Sequence, residues 1–248
     1  MIKAVVNFNI GCYEQVYQPS FENSTWDFYT ITDLRSREHR KCSNEFFFEP
    51  LVIDSEALDG LSAKRKASFY KAKALTLLDE LTGIDYDLVV TLDANVEIVG
   101  DLDDFVDAHH NNFDISMPPH PDCANYLQEV EKIRKIKEAR LGKEIETEEN
   151  MEETIDILTM KGFKFDNGYH ETTMSVRSNT KRTRAFEKSW AKNYLELPTK
   201  RDQASLSLTR FEKKSLQFNT LPYALNHLWQ SPFFRKPHKY NEKGSNNL

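Results

Sequence analysis

The sequence predicts an α/β protein: a mostly parallel sheet flanked by helices, with a helical excursion at about residues 124–160. Two observations lead there. Strand-like and helix-like segments alternate through the first half, the pattern of a parallel sheet whose crossovers are helices. The run Leu88-Val89-Val90-Thr91-Leu92 is apolar on both alternating faces, as in a central strand covered on both sides, and it breaks off at Asp93 and Asn95. With 248 residues, 39% hydrophobic, the chain is long enough to bury a substantial core.

Taken in order, "KAVVNF" (3–8) and "DFYTIT" (27–32) read as strands, and "EFFFEPLVI" (45–53) as an extended segment interrupted by Pro50, which suits an edge. "SAKRKASFYKAKALTLLDEL" (62–81) predicts one helix, with Ser62 as N-cap and Leu75, Leu78 and Leu81 on one face. After the central strand, "DLDDFVDAHH" is a short helix with acidic residues at its start, and "FDISMP" is a strand. The excursion is charged and helix-prone, with a break expected at Leu141-Gly142, and its charges read as a solvated surface. "YHETTMSVRS" (169–178) is strand-like. Phe186, Trp190 and Tyr194 are spaced for one face of the helix that follows. A short helix at "KRDQASLSLTRF", a strand at "LQFNTLP" and an irregular tail from Ser231 complete the pattern.

Charge is uneven within a formal net of −6. Residues 1–159 carry 16 Lys/Arg against 32 Asp/Glu, and residues 160–248 carry 17 against 7. A basic last third can steer an anionic partner, or its cations can be neutralised within the fold. Cys12, Cys42 and Cys123 are odd in number and widely spaced, which suggests neither a disulfide framework nor a zinc site and makes a reducing cytoplasm the expectation. The N-terminus reads as a strand rather than a signal peptide, and no apolar run approaches the roughly 18 residues of a membrane span, so no stable membrane insertion is expected. No G-x-G-x-x-G follows the first strand, which removes a Rossmann dehydrogenase.

Ligands of open α/β sheets bind at the carboxyl ends of the strands, so Asp93 and Asn95 stand at the mouth of a cleft. A carboxylate two residues before an amide oxygen suits Mg²⁺ or Mn²⁺, which take oxygen ligands and share them with phosphates.

The strand, "DAN" and the following "VEIVGDL" resemble the metal-binding segment of GT-A glycosyltransferases. More narrowly, the chain resembles the glycosyltransferase-like family that includes the plant TOD/MUCI proteins and small bacterial and phage relatives. "NFNIGCYEQVYQP" (Asn9, Gly11, Tyr13), "FYTITD" (Asp33), "KRKASFYKAKAL" (Arg65, Lys71), "HPDCANYLQE" (His120) and "KRDQASLSL" (Asp202, Gln203) follow in that family's order, across residues 1 to about 222.

The resemblance implies a single GT-A-like (Rossmann-like) domain over 1–248. About 1–105 would bind nucleotide-sugar and metal, and about 106–248 the acceptor. Asn9, Gly11, Tyr13 and Asp33 would face the nucleotide, with Asp33 near base or ribose, while Arg65 and Lys71 would face diphosphate or donor sugar. Asp93 and Asn95 would hold Mn²⁺ or Mg²⁺ with a C-terminal histidine, His238 or His227, as a further ligand. Asp202 and Gln203 would sit beside the donor sugar, Asp202 orienting hydroxyls or deprotonating an acceptor. His120 and Glu171 would line the acceptor side.

The implied activity is transfer of a hexose or pentose from a nucleotide sugar, UDP-linked, to a hydroxyl. The acceptor is either hydroxymethylated cytosine in phage DNA, which would place the protein in the host cytoplasm, or a cell-surface polysaccharide or glycan precursor. A reading from another class is a non-catalytic nucleotide-sugar-binding protein.

Overall fold

The computed structural model describes residues 1–12, 14–33, 47–54, 58–139, 146–222 and 232–236. Its strands are β1 (Lys3–Phe8), β2 (Asp27–Thr32), β3 (Glu49–Val52), β4 (Leu88–Asp93), β5 (Val96–Ile98), β6 (Ile115–Met117), β7 (Met174–Ser178), β8 (Phe218–Thr220) and β9 (Phe233–Arg235). Seven form one sheet in the order β3-β2-β1-β4-β7-β6-β8, and β5 pairs with β9 in a second. Within the large sheet β7 runs against the other six. The α/β class with a mostly parallel sheet is therefore the observed architecture. Pro50, which cannot donate to a ladder, lies in β3 at the sheet edge.

The period of two along each strand sends alternate side chains to opposite faces. Ala4, Val6, Phe8 and Val89 pack on one side, with Leu75 and Leu78. Val5, Val90 and Leu92 pack on the other, with Phe105 and Val176. The first cluster lies under helices α1 (Ala63–Ala72) and α2 (Ala74–Thr82), and the second lies against α3 (Leu102–His109). Helices α4 (Tyr126–Ala139), α5 (Glu148–Met160), α6 (Lys181–Glu196) and α7 (Asp202–Glu212) complete the layers. Phe186, Trp190 and Tyr194 form the buried stripe of α6, as their spacing predicts.

Several expectations change. The helix over 62–81 starts at its predicted cap, with Ser62 Oγ accepting from Arg65 N at 3.3 Å. It breaks, however, at Lys73 (φ −118°, ψ 31°). The break is held by a buried ion pair, Arg177 Nη1 to Glu187 Oε1 at 2.6 Å, with both residues at 0% exposure. Glu187 accepts from Leu75 N, Thr76 N and Thr76 Oγ1 at 2.9–3.0 Å, capping the start of α2. Arg177 donates to Lys71 O at 2.9 Å and Ala72 O at 3.4 Å, capping the end of α1. Four orphan groups of a broken helix are thus satisfied by one pair.

The excursion is not merely a solvated surface. Tyr126, Val130, Ile133, Met151 and Leu158 join Tyr169, Leu197, Ala204 and Leu208 in a core of their own. Glu129 and Glu146 are buried beside that cluster. The break expected at Leu141-Gly142 lies outside the described residues. Finally, the tail is not wholly irregular, because β9 pairs antiparallel with β5. Of "YHETTMSVRS", only Met174–Ser178 is strand.

Cys12 is disulfide-bonded, a bond the odd count and wide spacing did not suggest, while Cys123 is a buried free thiol. Among the described residues no helix is long and apolar enough to cross a membrane.

Glu187→Gln or Arg177→Met leaves one buried charge without its partner. Chemical denaturation should show a loss of about 3–5 kcal/mol for each single variant. A loss under about 1 kcal/mol would show that the pair does not hold the break.

Candidate active site

Parallel β1 and β4 end in register, Phe8 opposite Asp93, and the cleft opens there. It has a volume of about 310 Å³. Its walls come from α1 (Lys64, Ser68, Lys71), the end of β4 (Asp93), the loop after β6 (His120), the approach to β7 (Glu171, Thr172) and the start of α7 (Arg201, Asp202, Gln203). On α1 the lining residues fall at positions 64, 67, 68 and 71, one helical stripe. Arg65 lies about 100° around the helix from Lys64. Its guanidinium therefore sits 5.7 Å over the Tyr194 ring, on α6, and outside the cleft lining.

Lys71 is the floor of the cleft. Its ammonium is 2.7 Å from Asp93 Oδ1 and 3.5 Å from Asp202 Oδ2, and the residue is 6% exposed. Burial alone works against its charge, but the two carboxylates outweigh that and raise its pKa above the ordinary lysine value. The same geometry acts on Asp202. Burial favours its neutral form, yet Lys71, Arg201 and a hydrogen bond from Thr172 hold its pKa below the usual carboxylate range. Asp93 and Asp202, 109 positions apart in sequence, thus meet on one cation.

The segment before Asp202 is clamped by the excursion. Arg201 Nε donates to Glu129 Oε1 at 2.7 Å, and Tyr169 OH donates to Glu129 Oε2. Glu146 Oε2 accepts from Thr199 Oγ1 at 3.0 Å and Lys200 N at 2.5 Å. Burial opposes the charge of Arg201, and Glu129, Tyr169 and Asp202 outweigh it, so its pKa stands above the ordinary arginine value. Sequence reasoning passed over Arg201 although it stands beside Asp202 in "KRDQ". The partner that fixes it, Glu129, lies in a run of charges that reads as solvent-exposed.

On the opposite wall, Glu171 is 4% exposed; Oε1 accepts from Arg235 Nη1 at 3.0 Å, and Oε2 is buried with no hydrogen-bond partner among the described residues. Burial raises its pKa, and Asp93 adds to the rise while Arg235 opposes it. His120 Nδ1 accepts from Cys123 N at 3.0 Å and Asp122 N at 3.2 Å. Its ring proton is thereby placed on Nε2. Burial lowers its pKa, which favours the neutral form. Gln203 Oε1 is a further buried oxygen without a partner.

Asn95 does not line the cleft. It turns the chain from β4 into β5, its Nδ2 donating to Lys236 O at 3.0 Å and its own carbonyl accepting from Lys236 N at 2.8 Å. Its Oδ1 remains buried without a hydrogen-bond partner. Of the two expected ligands, only Asp93 is therefore a cleft-side oxygen donor for a hard cation. Among the described residues no group of three or more His, Cys, Asp or Glu could hold a metal. His227, His238 and Tyr13 lie outside the described residues.

A second hollow of about 520 Å³ sits beyond α1, lined by Gly11, Asp33, Ser62, Ala63 and Lys66 among others. Gly11 N donates to Asp33 Oδ1 at 2.7 Å, tying the ends of β1 and β2. At Gly11 φ is +66°, and a Cβ there would come within 3.1 Å of Ala63 Cβ. Both facts call for glycine. Asn9 lines neither the cleft nor the hollow. Its Nδ2 donates to Glu14 O and its Oδ1 accepts from Glu14 N, so both ends of its amide close the 9–14 turn.

Solved structures that align with the chain include several glycosyltransferases. Mouse xyloside xylosyltransferase 1 aligns over 88% of this chain and 84% of its own, at 10% identity and a TM-score of 0.46. The galactosyltransferase LgtC, solved with donor and acceptor sugar analogs, aligns over 83% and 69%, at 11% identity and 0.45. The bifunctional glycosyltransferase WbbM aligns over 89% of this chain but 38% of its own length, at 11% identity and 0.48. No family model matches the chain, and no curated protein matches it.

Lys71→Met would leave Asp93 and Asp202 facing each other without their shared cation. In the native protein Asp202, held low by Lys71, contributes stability above its unfolded pKa and loses it as pH falls through its folded pKa. In the variant Asp202 should titrate higher, by carboxyl NMR. Its stability deficit should be largest near pH 7, about 3 kcal/mol or more, and shrink in acid. A deficit independent of pH would remove the bridge.

Proposed function

We propose that this protein is a glycosyltransferase that moves a sugar from a nucleotide-sugar donor, UDP-linked, to a hydroxyl of a glycan. The observation that carries the reading is the Lys71 ammonium bridging Asp93 and Asp202 where the parallel strands end. That arrangement puts fixed positive charge (Lys71, Arg201) where a diphosphate can lie and carboxylates where a cation and sugar hydroxyls can bind. The ordered motifs resembling the TOD/MUCI family agree with it, and membership of that family is part of the proposal.

In this reading the nucleoside end lies toward Gly11 and Asp33, and the first half of the chain serves the donor. Asp93 would hold Mn²⁺ or Mg²⁺ from the cleft, with His238 as a further ligand, whereas Asn95 is turned away to Lys236 and is not among the cleft's oxygen donors. Such an ion supplies charge neutralisation for a departing diphosphate. Asn9 and Arg65 act indirectly, Asn9 by shaping the turn under the donor and Arg65 by bracing α1 on Tyr194.

Asp202 has a depressed proton affinity, which suits orienting donor hydroxyls with Gln203 and suits a base poorly. Glu171 has an open oxygen and a raised pKa, which suits taking the acceptor proton. For direct displacement, Glu171 removes the hydroxyl proton, the acceptor oxygen bonds to the anomeric carbon, and the bond to the diphosphate breaks with its electron pair. His120 Nε2–H is placed to donate to an acceptor oxygen.

Hydroxymethylated DNA is the weaker acceptor. Its support was the basic last third, whose arginines are mostly engaged within the fold: Arg182 with Asp114 at 2.6 Å, Arg184 with Asp79 and Arg235 with Glu171. A purely binding role leaves the open oxygen of Glu171 without a use.

Release of nucleoside diphosphate from a panel of nucleotide sugars with Mn²⁺ tests the reading. Asp93→Ala should lower it about 100-fold or more, with a stability loss no larger than that of Lys71→Met, which breaks the same bridge. No release from any donor would sink the proposal. If Glu171 is the base, the acid limb of the rate profile should lie above the ordinary glutamate range near pH 4.3. Arg235→Gln, which removes the cation opposing that rise, should move the limb further up. An unmoved limb would exclude Glu171.

A further inference from the structure

The sequence places six arginines after residue 160, and five of them pair with a carboxylate: Arg177, Arg182, Arg184, Arg201 and Arg235. Arg210, on α7, has no carboxylate within ion-pairing distance among the described residues. It lines a pocket of about 520 Å³ that shares His120, Pro121 and Asp122 with the active-site cleft. The pocket is therefore the next room along the acceptor wall, on the far side of His120.

The guanidinium is held in place from three sides. Its carbon lies 4.2 Å over the Phe218 ring, Nη1 donates to Asn167 O at 3.1 Å, and Nη1 also approaches His170 Nδ1 at 3.3 Å. Arginine has only donors, so His170 Nδ1 accepts and its Nε2–H points to Thr220 Oγ1 at 2.8 Å. Burial holds the His170 pKa down at about 3, with the Arg210 charge adding to the effect, so His170 stays neutral. Gly168, at φ +77°, packs beside the guanidinium, where a Cβ would stand in ordinary contact at 3.6 Å from Nη1. Nη1 is thus engaged, while Nε and Nη2 make no hydrogen bond among the described residues. That edge is the one that matches two oxygens of a carboxylate or phosphate side by side. A half-buried cation fixed by neutral groups has lost hydration without gaining a counter-charge, and an incoming anion supplies it.

We infer that the Arg210 pocket is an acceptor subsite for an anionic group, a sugar carboxylate or sugar phosphate, so that the acceptor is a charged glycan extending past His120. The inference rests on the glycosyltransferase reading for the word acceptor, while the anion site stands on its own geometry. A nucleic-acid backbone fits less well. It needs a track of cations, and Asp122 and Lys132, at the shared rim, are paired with each other.

The test is calorimetric and NMR titration with methyl β-glucuronide, glucose 6-phosphate, methyl β-glucoside and a short DNA duplex. One or both charged sugars should bind at least about 10-fold tighter than the glucoside and shift the Gly168 and Thr220 amides. Which of them binds identifies the anion. Arg210→Gln should erase the margin and Arg210→Lys should keep part of it, and the amide map in the unsubstituted protein decides should either variant not fold. Equal binding of the neutral glucoside, shifts confined to Lys71 and Asp93, or DNA as the tighter ligand through these same amides would each overturn the subsite. Donor turnover without a preference for charged sugars defeats the subsite alone. Charged-sugar binding at Gly168 without turnover of any donor defeats the transferase reading alone.

Discussion

The buried Arg177–Glu187 pair is the constraint on which the site depends. A helix over 62–81 has the composition to run on, and uninterrupted it would carry Lys71 wherever its own pitch led. The pair stops the first segment by taking the carbonyls of Lys71 and Ala72, and it starts the second by receiving the amides of Leu75 and Thr76. Because β7 supplies Arg177 and α6 supplies Glu187, the end of α1 is fixed relative to the sheet rather than to its own helix. Lys71 is the residue at that end, and its ammonium reaches both Asp93 and Asp202.

Charge organises the molecule at a larger scale as well. The acidic first two-thirds and basic last third interlock, carboxylates of the former receiving cations of the latter: Glu129 with Arg201, Asp114 with Arg182, Glu97 with Lys236. An asymmetry that reads in sequence as an invitation to a polyanion is in part internal complementarity, carried mainly by the arginines. The excursion shows the same thing locally. Its charges look solvated, yet Glu129 and Glu146 are buried and set the position of residues 199–201, and so of Asp202.

Much of the frame was legible. β1, β2 and the central strand were marked by runs rich in apolar, aromatic and β-branched residues, the cap at Ser62 by its place before a helix-forming run, and the α6 face by the spacing of Phe186, Trp190 and Tyr194. Asp93 at the cleft mouth followed from the strand ending there. Less could be read of the individual roles. Arg65 and Lys71 look equivalent in "KRKASFYK", and only the rotation of α1 against α6 separates them. Asn9 and Asn95 look like ligand groups, but the Glu14 turn and β9 engage their amides.

Sequence by itself determined the elements, the sidedness of the strands and the end of the sheet at which chemistry can occur, because these depend on local periodicity and on where apolar runs stop. Tertiary structure decided which charges are paired and which stand open. Among the described residues, Lys71 joined to two carboxylates, Glu171 with one bare oxygen and Arg210 without a counter-ion differ only in neighbours brought from distant parts of the chain. Desolvation and Coulomb energy depend on those neighbours and on burial, and neither is written in the local sequence.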